Sequence, residues 1–98
     1  MAKKGYLVSA YRSIKDPDKL AAYAKLAGPA FAKFGARYVV RGNAEHAYEA
    51  GVKQRMVIVE FESVAKAVEA HDSADYQAAL KVFGDCAERD LRIVEGLE

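Results

Sequence analysis

The segment EAHDSADY, residues 69–76, brings Glu, His, two Asp, Ser and Tyr into eight consecutive positions. Side chains of these types can transfer protons or hold a metal ion. Most of them also have ordinary local roles, because Asp72 and Ser73 are of the types that cap a helix and Asp75 suits a first helical turn. Tyr76 begins an apolar helix face. The segment is therefore more typical of a helix start than of an active site.

His71 has the strongest case for chemistry in this segment. It follows Val64 by seven residues and Val68 by three, so we expect it to share their buried face near the sheet. A histidine there can act as an acid or a base near neutral pH, or it can be a core residue with one satisfied hydrogen bond. The core role is the more common one. No cysteine or second histidine lies at metal-ligand spacing, since His46 is distant, and no metal site is predicted.

Glu60 is the second catalytic candidate. It follows Met56 and Ile58 on one face of a predicted strand, where an unpaired carboxylate is costly. We therefore expect it to be exposed at the strand end or paired with Arg41 or Arg12. A paired Glu60 would be structural, whereas an unpaired one with a raised pKa would be a candidate general base.

Arginine and tyrosine side chains predict a binding site for a small ligand. Arg41 and Arg55 can hold a carboxylate through bidentate contacts, although arginines at strand ends are more often solvated. Tyr11, Tyr23 and Tyr38 can line a pocket that accommodates an aromatic ligand, or they can belong to the core. The predicted ligand-binding residues are Arg41, Glu60, His71, Tyr76 and Tyr11, with His71 and Glu60 as the catalytic candidates.

Four strands must position these side chains. Alternating runs rich in β-branched and aromatic residues predict strands over Gly5–Ile14, Ala36–Gly42, Arg55–Glu62 and Leu91–Gly96. A connection, residues 43–54, follows the second strand. It has alternating Ala44, His46 and Tyr48, which suggest a short extended arm.

Helices fill the remaining segments. Asp16 and Pro17 suit the N-cap and first position of a helix that Gly35 ends, and Pro29 is expected to kink or interrupt it. Ser63 can cap a second helix. Asp72 or Ser73 starts a third helix, and the pattern predicts that this helix runs to Arg89. It includes Cys86, which we interpret as a small helix residue and not a nucleophile.

The order strand, helix, strand, strand, helix pair, strand is that of the split βαβ, or ferredoxin-like, fold. It predicts an α+β domain with a four-stranded antiparallel sheet and helices on one face. Both faces of the strands are substantially apolar in their middle parts. A monomer would leave the uncovered face in water, so we expect the sheet of a second copy to cover it. The alternative is a monomer with an ordinary half-polar outer face.

Length and charge exclude several classes of function. The 98 residues suffice for a single domain, 1–98, and the formal net charge of +1 gives no reason to expect binding to nucleic acid or to an anionic membrane. No apolar run approaches the ~20 residues of a membrane span, and no signal peptide is visible. We expect a cytoplasmic protein.

The stretches AGPAFAKFGARYVVRG, RMVIVEFES and DSADYQAAL, in this order, resemble those of a bacterial family of roughly hundred-residue proteins of unknown function. The similarity includes Arg41-Gly42, Glu60-Phe61 and the pair Ser73 and Tyr76. That family belongs to the dimeric α/β-barrel superfamily. The resemblance implies a ferredoxin-like subunit and a dimer in which two sheets face each other, with helices outside. It implies no established reaction.

Two functional hypotheses remain. The first is a homodimer that binds a small acidic or aromatic molecule between sheet and helices. It could be a cofactor-independent enzyme that transfers a proton through His71 or Glu60, and no cofactor is predicted. The second is a structural or interaction dimer without a ligand site. Fold alone does not decide between them.

Overall fold

Seven elements follow one another along the chain, and the computed structural model describes residues 3–97. The strands are β1 (Gly5–Ile14), β2 (Arg37–Asn43), β3 (Arg55–Phe61) and β4 (Ala87–Glu95). The helices are α1 (Pro17–Ala32), α2 (Val64–Asp72) and α3 (Ala74–Phe83). Residues 44–54 contain no strand, so the extended arm suggested by the alternation of Ala44, His46 and Tyr48 does not form.

The strands form one sheet in the order β2-β3-β1-β4, and all neighbours are antiparallel. Val8 in the central strand β1 lies between Ile58 of β3 and Arg92 of β4. This topology confirms the predicted α+β, ferredoxin-like fold.

The helices cover one face of the sheet. Along β1, the residues Leu7, Ser9 and Tyr11 are buried, while the residues between them are partly exposed. This period of two places one set of side chains under the helices and the other on an open outer face. The apolar core consists of Leu7, Tyr11, Tyr23, Ala27, Ala30, Phe31, Val59, Phe61, Ala67, Ala70, Tyr76, Ala79, Phe83 and Cys86.

Each helix begins at a side chain that caps its free amides. Asp16 accepts a hydrogen bond from the Lys19 amide at 3.1 Å, and Ser63 accepts one from Lys66 at 3.1 Å. Both caps were predicted from residue type. Ser73 ends α2 and starts α3, because its hydroxyl donates to the Ala70 carbonyl at 2.7 Å and accepts from the Tyr76 amide at 3.3 Å.

Helix α1 runs through Pro29 without a break, so of the two predicted effects, a kink or an interruption, the interruption does not occur. Proline removes one amide donor from the helix, which by itself disfavours this conformation. Buried residues on both sides of Pro29, namely Ala27, Ala30 and Phe31, pack into the core and hold the last turn in place.

The end of α3 differs from the prediction. The helix stops at Phe83 because Gly84 adopts φ +51°, a conformation that glycine tolerates best, and its amide bonds to the Leu80 carbonyl at 3.0 Å. Cys86 is therefore not a helix residue but lies buried in the turn before β4. Burial raises the pKa of its thiol. Strand β4 begins at Ala87, four residues before the predicted Leu91.

Candidate functional site

A cavity lies between the helix-covered face of the sheet and α1. It offers about 80 Å³ to the centres of water-sized molecules, which is room for several waters or for a small organic group. Its polar wall includes Ser9, Tyr11, Tyr38 and three arginines. The full lining is Leu7, Ser9, Tyr11, Leu20, Tyr23, Ala24, Ala27, Gly28, Phe31, Tyr38, Arg41, Arg55, Val57, Val59 and Arg89.

Arg89 is the central polar group of this wall. It lies on β4 opposite Tyr11 of β1, so its side chain enters the helix-covered face. Its Nη1 atom donates to the hydroxyl oxygens of Tyr11 and Tyr23, each at 3.2 Å, and to that of Ser9 at 3.4 Å. Its Nη2 atom donates to the Tyr76 hydroxyl at 3.2 Å. One guanidinium therefore joins two strands and two helices.

The aromatic rings around Arg89 pack closely with it and with one another. The guanidinium carbon lies 4.2 Å from the ring centre of Phe83 and 5.1 Å from that of Tyr23. Tyr23 and Tyr76 share a hydrogen bond of 2.6 Å between their hydroxyls, and the Tyr76 ring stacks on Phe31 at 4.5 Å. These contacts hold the guanidinium in a fixed position.

The hydroxyl groups around Arg89 retain protons to donate. A guanidinium can only donate, so Ser9, Tyr11, Tyr23 and Tyr76 all act as acceptors toward Arg89. Within residues 3–97 the Ser9 and Tyr11 hydroxyls have no other hydrogen-bond partner. Only one member of the Tyr23–Tyr76 pair can donate to the other. The cluster therefore combines a positive charge with three hydroxyl protons that lack a protein acceptor.

No carboxylate balances this charge among the described residues. The lining contains three arginines and no aspartate or glutamate, and the ion pairs found in residues 3–97 involve other side chains. Burial acts to lower the pKa of Arg89, but the surrounding tyrosine oxygens outweigh it and raise that pKa above its ordinary value. Arg89 is thus a permanent cation that only neutral oxygens contact.

Tyr23 and Tyr38 are neutral at physiological pH. Burial raises the pKa of Tyr23 well above its ordinary value of 10, and the neighbouring Tyr76 adds to this increase. Burial likewise raises the pKa of Tyr38, whose ring lies 5.4 Å from the Arg41 guanidinium carbon. Both phenols can therefore donate hydrogen bonds, and neither is a base at neutral pH.

The structure brings three of the predicted site residues to this cavity or its wall. Tyr11 and Arg41 line it, and Tyr76 reaches it through its hydrogen bonds to Arg89 and Tyr23. Arg55 and the aromatic side chains Tyr23 and Tyr38 are also in the lining. The segment 69–76 contributes to the site through Tyr76, which is fully buried. Glu69, His71, Asp72 and Ser73 make local contacts, and Asp75 forms an ion pair with Lys33 at the end of α1.

His71 and Glu60 lie elsewhere. His71 does not share a buried face with Val64 and Val68, because Ala67 and Ala70 are the buried residues of α2. Its ring nitrogen Nδ1 is 2.9 Å from Asp72 Oδ1, and it is outside the cavity lining.

Glu60 belongs to the outer face of the sheet. It accepts a hydrogen bond from the Tyr6 hydroxyl at 3.0 Å, and this bond raises the Tyr6 pKa. The expected pairing with Arg41 or Arg12 does not occur, since Arg41 lies on the opposite face of the sheet.

Arg89 was not recognised from the sequence because it fell in a segment predicted as helix. The alternation in the strand AERDLRIVE could have indicated its position. Every second residue, namely Arg89, Leu91 and Ile93, points to the same face, and Leu91 and Ile93 are packed against the core. A charged residue in line with two core positions indicates a buried or half-buried charge.

A wider cleft lies on the outer face beside the 43–54 connection. Its space for the centres of water-sized molecules is about 500 Å³, and its lining includes Arg12, His46, Tyr48 and Met56. Within residues 3–97 no three His, Cys, Asp or Glu side chains come together as metal ligands. No helix in the described part of the chain is long and apolar enough to cross a membrane.

Solved structures with similar folds place this architecture in a wider group. A protein of unknown function from Rhodopseudomonas palustris superposes with a TM-score of 0.79 at 20% identity, over 100% of this chain and 85% of the other. A dimeric ferredoxin-like protein of unknown function from Thermobifida fusca gives 0.67 at 14% identity, over 98% and 93%. SnoaB, a cofactor-independent oxygenase from Streptomyces nogalater, gives 0.67 at 9% identity, over 99% and 96%. At these identities the similarity establishes the fold.

Sequence comparison identifies the family. No curated protein matches the chain. Residues 4–97 match the family described as "Domain of unknown function (DUF1330)". This match covers nearly the whole chain and confirms the predicted membership of a family of unknown function. The protein belongs to the DUF1330 family, with a ferredoxin-like fold.

Proposed function

We propose that the protein binds a small organic acid in the cavity between the sheet and α1, with the acid group at Arg89. The observation that carries this proposal is the Arg89 cluster: a fixed guanidinium whose hydrogen-bond acceptors are all hydroxyl groups. No carboxylate lines the cavity among the described residues.

Desolvation explains why this arrangement favours an anion. Removing a guanidinium from water is costly unless an opposite charge accompanies it. A carboxylate beside Arg89 would supply that charge and would also accept the free hydroxyl protons of Ser9 and Tyr11. Hydrogen bonds to charged groups contribute about 1.5–3 kcal/mol each, so one well-placed carboxylate gives useful affinity.

The apolar part of the cavity sets the character of the rest of the ligand. Leu7, Leu20, Phe31, Val57 and Val59 line it together with the small residues of α1. A hydrocarbon chain or a small ring fits these walls, in agreement with the acidic or aromatic ligand predicted from the sequence.

Proton-transfer catalysis has less support than binding. No histidine, aspartate or glutamate is present in the described lining, and the Tyr23 and Tyr38 phenols are not bases at neutral pH. The likeness to a cofactor-independent oxygenase keeps an enzymatic role as the second candidate. Such a role would require that substrate supply the reactive group or that His71 or Glu60 act at another site.

We also propose that the protein is a homodimer joined through the outer face of the sheet. Val8, Val40 and Ile58 pair across three strands on that face, and Val40 and Val94 are 41% and 53% exposed. Covering several hundred Å² of apolar surface at ~25 cal/mol per Å² would favour association by several kcal/mol before its entropic cost. Fold neighbours described as dimeric support this assembly.

Thermal unfolding with a panel of sodium carboxylates, at constant ionic strength, tests the ligand proposal. Wild type is compared with Arg89→Met and with Lys25→Met, which removes one positive charge from the exposed side of α1. We expect at least one acid to raise the Tm of wild type and Lys25→Met in a saturable way, and to leave Arg89→Met unchanged. Equal shifts in all three proteins, or none in any, would support the structural alternative in which Arg89 only joins the tyrosines.

A further inference from the structure

The cavity is positively charged at two places, not one. Arg89 comes from the edge strand β4, whereas Arg41 and Arg55 come from β2 and β3 on the other side of the central strand β1. All three line the same cavity, and none has a carboxylate partner within residues 3–97. A single acid group at Arg89 leaves the other two charges without a counter-ion.

The sheet register shows how these charges are spaced. Tyr11 pairs with Arg89 on one side, and the pairing of β1 with β3 ends at Ala10 and Met56, the residues next to Tyr11 and Arg55. Arg55 and Arg89 therefore lie on the two sides of Tyr11, on the helix-covered face of the sheet. Two strand spacings separate their backbones, or about 10 Å. Arg41 pairs with Val57, two residues along β3 from Arg55 on the same face.

Much of the remaining lining is apolar. Leu7, Val57 and Val59 lie on the sheet side of the cavity, and Leu20 and Phe31 lie on its α1 and core side. The cavity thus has two cationic ends, one with the hydroxyls of Ser9 and Tyr11 and one beside Tyr38, and an otherwise largely apolar wall.

We propose, on the basis of the function proposed above, that the ligand is a short dicarboxylate. One carboxylate binds Arg89 with the hydroxyls of Ser9 and Tyr11, and the other binds Arg55 and Arg41. The hydrocarbon between them contacts the apolar wall.

Calorimetric titration with glutarate and with its monomethyl ester tests this inference. The two molecules have nearly the same chain but differ by one negative charge. We expect wild type to bind glutarate at least ~10-fold more tightly than the ester, because the second carboxylate gains a charge-assisted contact. In Arg55→Met this preference is lost while the ester still binds, and Arg55→Lys restores part of it.

The outcomes separate this inference from the proposed function. Equal affinity of glutarate and ester in wild type, both dependent on Arg89, would overturn the dicarboxylate and leave the acid site standing. Absence of binding by either molecule and by the other diacids from malonate to adipate would overturn the dicarboxylate, and the panel of carboxylates described above would then decide whether the acid site stands. A preference for glutarate that Arg55→Met and Arg41→Met leave unchanged, with both variants folded by circular dichroism, would also contradict the two-ended cavity.

Discussion

The Nη1 atom of Arg89 donates to the Tyr23 hydroxyl at 3.2 Å, joining the edge strand β4 to helix α1. Both residues line the cavity, and their contact links the sheet to the layer of helices. The same Tyr23 hydroxyl lies 2.6 Å from that of Tyr76 on α3. A single buried cluster therefore joins the sheet to two helices and places a cation in the wall of the cavity.

Replacing Tyr23 by Phe should change the response to alkaline pH. The pKa of Tyr23 is raised in the folded protein by burial, so folding holds its proton more tightly than the unfolded chain does. The stability that this group contributes is present below pH about 10 and is lost as the pH rises above that value. Wild type should therefore lose stability above pH about 10 more steeply than Tyr23→Phe.

Urea unfolding at neutral and alkaline pH measures this difference. At neutral pH, Tyr23→Phe should lower the free energy of unfolding by about 0.5–1.5 kcal/mol, since it removes hydrogen bonds to Arg89 and Tyr76. Tyr48→Phe is the control, because Tyr48 is 77% exposed. Parallel alkaline curves for wild type and Tyr23→Phe would show that Tyr23 is not held in its neutral form.

Gly28→Leu should fill the cavity without harming the fold. Gly28 lines the cavity, and a Cβ atom built on it meets nothing within 4 Å. Leucine has a higher helix propensity than glycine by about 0.8 kcal/mol, so stability should stay equal or rise. Ligand-induced stabilisation should be lost. Ala22→Leu, on the exposed side of α1, is the control and should keep binding.

Undiminished ligand binding by Gly28→Leu would place the ligand outside this cavity. The free energy of unfolding of Gly28→Leu is also measured without ligand. A lower value than that of wild type would show that the leucine does not fit the cavity, and loss of binding would then reflect a damaged fold.

Ser73→Ala should destabilise the junction of α2 and α3. The Ser73 hydroxyl bonds to the Ala70 carbonyl and the Tyr76 amide, so its loss leaves both groups without these partners. We expect a decrease of about 1–2 kcal/mol in the free energy of unfolding. Asp72→Ala, at the neighbouring exposed residue, should cost less. Denaturant unfolding of both variants measures this difference. A larger effect of Asp72→Ala would indicate that Asp72, and not Ser73, caps α3.

Ile58→Glu should separate the proposed dimer. Ile58 lies on the outer face of β3, between Val8 and Val40. A carboxylate buried between two sheets is costly, and two such groups would repel each other across a dimer axis. Light scattering should give twice the chain mass of 10.7 kDa for wild type and the single mass for Ile58→Glu.

Val68→Glu is the matched control for this experiment. Val68 is 42% exposed on α2, on the helical side of the sheet, and its substitution should leave the dimer intact. A single-chain mass for wild type at micromolar concentration would contradict the dimer proposal.

The fold could be predicted because local patterns were strong where they mattered. Strand β1 was predicted with its observed bounds, and the caps at Asp16 and Ser63 follow from short-range hydrogen bonds. The predicted end of α3 was wrong because the sequence from Gly84 to Arg89 contains residues that also occur in helices. Only the positive φ of Gly84 and the burial of Cys86 decide against helix.

The candidate site was predicted only in part. Arg41, Arg55 and Tyr11 could be nominated from residue type and strand position. Arg89 depends on pairing between β1 and β4, which are far apart in the chain. Helical periodicity also misplaced His71, since Val68 proved to be exposed and the small residues Ala67 and Ala70 to be buried. Alanine faces are weak indicators of burial because alanine is common on both sides of helices.

Nuclear magnetic resonance of the arginine side chains tests the central claim most directly. The Nε–Hε resonance of Arg89, assigned by its loss in Arg89→Lys, is followed during titration with glutarate and with its monomethyl ester. The proposed acid site predicts a saturable shift of this resonance at ligand concentrations that also raise the Tm. An Arg89 resonance that neither molecule moves, while the Tm rises or stays constant, would contradict the assignment of the cavity as an acid-binding site.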